Sequence, residues 1–227
     1  MNTRIYNLKE AILGARPMWS LERARLVTAA YQEHEADTYM AKKAFALAKV
    51  LEEKRIFISP GELIVGNYSV RPGAYELYPE YSLQDQVHRY THFSFEKMID
   101  ESYFETEGEK AEFRGIRDFW KGKCMRDIAE QVMPDICKKT RSLEIVGNAY
   151  GRDEGQGHIT VEYDRVIREG FRAIIDQAKK NLDEKGLQDP KAYDFLRAVI
   201  ITSEAIITFA HRFAELATAL AADESDP

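Results

Sequence analysis

The run KAYDFLRAVIITSEAIITFAHRFAELATALAA, residues 191–222, decides how the rest of the chain is read. Beyond its first turn the strongly polar positions are Arg197, Glu204, His211, Arg212 and Glu215. They recur near a seven-residue spacing, which on a helix draws one narrow polar stripe. A helix that is apolar round most of its girth is either buried in protein or spans a membrane. The charges at Arg197, Glu204 and Arg212 interrupt any apolar run of the roughly 18 residues that a span needs, so the expectation is burial in protein. At ~1.5 Å per residue this helix is about 48 Å long. That is more than the remainder of a 227-residue chain can surround on every side, so the sequence reads as part of a larger body.

The composition agrees with a packed protein. Aromatic residues make up 11% and apolar residues 44% of the chain, too rich in core-forming side chains for a disordered one. Thirty-eight acidic against 32 basic residues leave a net charge of −6, which argues against a nucleic-acid partner held by bulk charge. Residues 1–10 are polar, with none of the apolar core of a leader peptide, so a cytoplasmic location is expected. Cys124 and Cys137 stand thirteen apart in helical patterns and fit no CxxC spacing, which makes them packing or spectator thiols.

Working outward from the long helix, a 3.6-residue period predicts one or two helices over 21–54 and further helices over 107–120, 125–140 and 162–185, with Pro134 interrupting the pattern over 125–140. The short apolar run Glu62-Leu63-Ile64-Val65-Gly66-Asn67 lies between turn residues and reads as a buried strand. Residues 70–81 carry Pro72, Gly73 and Pro79 and read as loop. The fold class expected is predominantly α with a few short strands.

Candidate chemistry is sparse. His88 and His92 are four apart, a spacing that puts both rings on one helix face, but Arg89 stands where a zinc protease needs Glu. No metal site is expected. Glu33 with Asp37, and Glu52 with Glu53, lie among Lys and Arg on helical patterns and read as solvated faces. Residues 147–157 hold four glycines, but Asp153 and Glu154 would repel a phosphate, and no Gly-Lys-Ser/Thr follows. The segment reads as a flexible loop that presents His158 ahead of a helix, with Tyr150 and Asp153 nearby. A structural turn with a hydrogen-bonded His158 is the competing reading.

Glu22-Arg23, Glu62 to Asn67, Pro79-Glu80, Phe119-Trp120-Lys121-Gly122-Lys123, Met133-Pro134 and Gly157-His158-Ile159-Thr160-Val161-Glu162-Tyr163 occur here in the order in which similar motifs occur in the amino-terminal region of glycyl radical enzymes. Residues 200–220 resemble the long helix that follows in their pyruvate formate-lyase-like domain, above all in the dehydratase, decarboxylase and lyase branch. The resemblance covers nearly the whole of 1–227 and implies an incomplete piece of a ten-stranded α/β barrel.

It also implies two finger loops, one with a cysteine followed two residues later by glutamate, the other with the radical glycine. Neither is present. Cys124 is followed by Met125-Arg126 and Cys137 by Lys138-Lys139, so the chain alone is expected to be inactive. What carries over by resemblance is a wall of the substrate cavity, in which His158 bonds a polar group of the substrate and Tyr150 stands at the position that varies with substrate. The implied partners are a small polar substrate, a radical S-adenosylmethionine activase that installs the glycyl radical, and a second copy in a homodimer. No cofactor is expected on this chain, nor any nucleic acid or membrane partner. A non-catalytic module that associates with a chain carrying the two loops is the rival reading.

Overall fold

The computed structural model describes residues 2–83, 104–143, 161–185 and 189–224. Two compact units emerge, one made of Met1–Glu76 with Val161–Pro227, the other of Leu77–Thr160. Among the described residues the chain is predominantly helical, with one short pair of strands.

The first unit holds α1 (Thr3–Leu13), β1 (Met18–Ser20), α2 (Glu22–Glu33), α3 (Tyr39–Glu53), β2 (Ala74–Glu76), and two later helices that will be called α7 (Tyr163–Lys185) and α8 (Pro190–Asp223). Helix α8 starts where Asp189 accepts a hydrogen bond from the Lys191 amide, with Pro190 in the first turn, where its missing N–H costs nothing. Helix α2 packs on α3, α3 on α8 and α8 on α7, giving a row of helices. The faces of α3 that meet its neighbours are built from small side chains, Ala41, Ala44, Ala46 and Ala48, all buried, which lets the helix axes come close.

The polar stripe of α8 is a contact line. Arg197 donates to Asp37 at 3.2 Å, Glu204 meets Lys179 at 3.3 Å, and Arg212 donates to the Leu51 and Lys54 carbonyls, both at 2.6 Å. The apolar remainder is only partly covered: Ser203, Ala205 and Phe213 are buried, while Phe195 and Leu220 are exposed. Burial all round, as the apolar girth implied, is therefore corrected to burial along the side facing α3 and α7. By length and composition alone an 18-residue window of α8 also passes for a membrane span, because its Ile and Ala content outweighs its few charges. Three of its charged groups, Arg197, Glu204 and Arg212, are instead spent on neighbouring segments of the protein.

Strands β1 and β2 run parallel, Met18 opposite Ala74, Trp19 opposite Tyr75 and Ser20 opposite Glu76. Residues 70–81, expected as loop, thus contain a strand. It follows directly on Gly73, whose φ of 77° few other residues adopt and where a Cβ would lie 2.7 Å from that of Ala15. The strand expected at Glu62–Asn67 does not form. Leu63 and Ile64 are exposed, Ile64 by 93%. Its backbone neighbours find a side chain rather than a ladder, since Asn67 donates to the carbonyls of Arg55 and Ser69 and accepts from the Phe57 amide.

At the end of α3 the chain is tied from several sides. Lys54 is 5% exposed and Glu76 5%, with Nζ and Oε1 at 3.3 Å. The ammonium also donates to the carbonyls of Asn67 and Tyr68 at 3.3 and 3.0 Å. Burial pushes the Glu76 carboxyl above the usual range, and Lys54 opposes that shift.

In the second unit, α4 (Glu107–Trp120) opens with a reciprocal cap in which Thr106 accepts from the Glu109 amide and Glu109 accepts from that of Thr106. It buries Phe113, Ile116 and Trp120, with the Phe104 ring 4.9 Å from that of Phe113. Helices α5 (Met125–Val132) and α6 (Asp135–Ser142) are parted at Met133-Pro134, as the proline required.

The junction at Lys54 gives a pH-dependent expectation. In Lys54→Met the Glu76 carboxyl loses its partner, so its pKa in the folded chain rises further above the unfolded value. Such a group favours the fold below the unfolded pKa and loses that contribution as pH rises through the folded one. Urea titrations should therefore show a loss of about 3 kcal/mol at pH 7, a smaller loss at pH 5, and recovery of most of it at pH 7 in Lys54→Met/Glu76→Gln. An equal loss at both pH values would contradict the pairing.

Candidate functional site

Both residues assigned to a substrate wall, Tyr150 and His158, lie outside the described residues, as do His88, His92 and the glycine-dense run 147–157. The structure does describe the helix that follows them. It begins at Tyr163, and residues 161–164, which lead into it, are exposed.

Within the 77–160 unit, an open groove of about 420 Å³ is lined by Pro79, Leu83, Arg117, Trp120, Cys124 and Arg126, among others. It is built from motifs singled out in the sequence. The carbonyls of Glu80 and Tyr81 accept from the Met125 and Arg126 amides at 2.9 and 3.2 Å, so the segment after Pro79 seats on the first turn of α5. Trp120 and Cys124 are buried beneath it. The Gly122 amide donates to Asp127 at 2.7 Å and fixes the turn between α4 and α5.

What this groove can do chemically is limited. Burial pushes the Cys124 thiol up to about 11, so it is a thiol rather than a thiolate at neutral pH and a poor nucleophile. Two amides at the start of α5 already donate to backbone carbonyls, which removes the free donors an anion would need there. Phe119-Trp120-Lys121-Gly122-Lys123 and Pro79-Glu80 thus hold the unit together.

Two polar clusters of the other unit escaped the sequence reading. One is Lys54 with Glu76. The other joins His34, Asp37 and Arg197: His34 Nδ1 is 2.9 Å from Asp37, Arg197 bonds the same carboxylate, and the imidazole stacks on Phe45 at 3.7 Å between ring centres. The hydrogen bonds of His34 and Arg197 hold the Asp37 carboxyl below its usual range, against a smaller opposing effect of burial. Asp37 was expected on a solvated face, and the correction is that it links the α2–α3 turn to α8. Glu33 and Glu53 both pair with Lys49, as the charge pattern suggested. Among the described residues no three metal-ligating side chains come together.

A family model described as pyruvate formate lyase-like matches residues 1–227. The (2S)-3-sulfopropanediol dehydratase of Klebsiella oxytoca is 29% identical over 99% of this chain and 28% of its own length. The trans-4-hydroxy-L-proline dehydratase of Clostridioides difficile is 27% identical over 98% of this chain and 28% of its own. Among solved structures, the glycerol-bound B12-independent glycerol dehydratase from Clostridium butyricum matches with a TM-score of 0.82 and 33% identity, over 100% of this chain and 29% of that one. The chain therefore spans little more than a quarter of the relatives it matches.

The contrast between the two thiols is measurable. With Cys124 buried and Cys137 exposed, a chromogenic disulfide reagent at pH 8 should modify one thiol promptly and the second only on unfolding. Prompt modification of both would show that the groove does not shield Cys124.

Proposed function

The chain belongs to the pyruvate formate lyase-like family, and on that premise we propose that it forms the amino-terminal part of a glycyl radical dehydratase or lyase acting on a small polar substrate. One observation carries the reading: dehydratases of small polar molecules and a glycyl radical enzyme from Archaeoglobus fulgidus each match this chain over 98% or more of its length. Helices α2, α3, α7 and α8 and the parallel pair β1–β2 would then flank a ten-stranded α/β barrel, most of which other segments supply. Parallel strands with helices packed beside them suit that architecture.

In the complete enzyme, hydrogen abstraction belongs to a cysteine and a glycine outside these 227 residues, since neither Cys124 nor Cys137 is followed by glutamate at the second position. The glycyl radical is installed by a separate radical S-adenosylmethionine activase. This segment contributes one wall of the cavity through His158 and Tyr150. A hydroxyl or amine leaving a substrate radical in a water-poor cavity needs a donor beside it, and a histidine can hydrogen-bond or protonate such a group. Tyr150, eight residues earlier, selects among substrates by the shape and polarity it presents. The complete protein is a cytoplasmic homodimer in this reading.

His158→Ala in the complete enzyme should lower kcat/KM by roughly 10²-fold, about 2.7 kcal/mol of transition-state stabilisation, with ~1 kcal/mol lost from stability. Tyr150→Phe should change the ratio of kcat/KM between substrates more than its sum. Near-normal turnover of His158→Ala together with a sharply lower Tm would make the histidine a structural one and defeat the assignment.

A further inference from the structure

Sequence and structure disagree most informatively in the middle of α7. The apolar pattern of residues 163–185 runs without interruption: in one continuous helix Tyr163, Ile167, Ile174 and Ala178 fall on a single stripe, with Gly170 between them. The structure instead bends at Gly170, whose φ of 75° and ψ of 169° lie in a region open essentially to glycine alone. A Cβ there would meet no atom within 4 Å, so packing is not what requires glycine at this position. The backbone angle is.

The two halves behave as separate pieces. Arg165 with Glu169 at 3.2 Å and Arg168 with Asp164 at 2.6 Å brace the first two turns internally. Beyond the bend, Ile175 and Ala178 are buried, whereas Tyr163 and Ile167 are 68% and 82% exposed. Arg165 reaches across the bend and donates to Gln177 at 2.5 Å. In an unbroken helix these residues would stand twelve positions, about 18 Å, apart along the axis and could not bond. The contact therefore belongs to the bent form only.

We propose that Gly170 is a hinge with two settings, the bent one held by Arg165 and Gln177, and a continuous one in which Tyr163 and Ile167 join the stripe of Ile174 and Ala178. Glycine enters the ordinary helical region as readily as the one it occupies here, so both settings are open to the same residue. Two discrete arrangements of packed elements are how short helical segments switch. The inference stands on the backbone of α7 and not on the role assigned to His158, which is attached five residues before Tyr163.

The test uses two nitroxides, at Ile167→Cys and Asp183→Cys, in the full chain carrying Cys124→Ala and Cys137→Ser, with separations read by pulsed electron resonance. A continuous helix sets these backbone positions about 24 Å apart, and any bend shortens that. Two separations are expected. Gly170→Ala should leave the long one dominant, and Arg165→Ala, a milder change on an exposed side chain, should shift weight the same way. A single separation, or two whose proportions neither substitution moves toward the long one, overturns the hinge.

Discussion

The backbone at Lys54 is the point on which the first unit depends. A helix leaves its last carbonyls without partners, and at the end of α3 those of Leu51 and Lys54 are taken by one guanidinium, that of Arg212, from the far half of α8. A lysine ammonium, a compact point charge, would not match the planar fork that reaches two carbonyls at once. The side chain of Lys54 turns the other way, into the core, to Glu76 at the end of β2. The next residue is held as well, its amide donating to Glu22 at the start of α2. One turn of backbone thus joins α2, α3, α8 and β2. A buried ion pair gains little net stability over an apolar one, but breaking it is costly, so the pair fixes an arrangement more than it strengthens it.

Around that junction the unit is asymmetric. Helix α8 is covered where α3 and α7 meet it and bare elsewhere, and the apolar residues Leu63 and Ile64 face outward beside a backbone secured by Asn67. Exposed apolar surface of this kind marks faces made to be covered. Relatives that match the chain from end to end carry more than three times its length, and a larger body of that kind is what such faces suit.

Most of the helical framework was legible, because period and breakers act locally: the helices at 107–120 and 125–142, and the break at Pro134, follow from residues within a few positions of one another. The failures have physical causes. The run Glu62 to Asn67 carries a strand's composition, but composition does not say where a ladder partner lies, and the side chain of Asn67 instead bonds the backbone of Arg55, Phe57 and Ser69 on either side of the run. β1 is three residues long, too short for any period to show. The partnership of Lys54 with Glu76 spans 22 residues without a pattern, and that of Arg212 with Leu51 spans 161. At Gly170 the apolar period continues through a residue whose backbone does not. His158 and Tyr150 were assigned through resemblance, since the residues alone favoured a structural turn, and both lie outside the described residues.

Hydrogen exchange on Arg212→Met, followed peptide by peptide, tests the junction most directly. If one guanidinium ties α3 to the rest, exchange should quicken by roughly tenfold or more at residues 48–57, where the carbonyls lose a charged donor, and also at residues 67–76, which Lys54 holds in turn. Faster exchange confined to α8, with 48–57 and 67–76 unchanged, would show that the end of α3 is held without Arg212 and that the junction is not what the fold depends on.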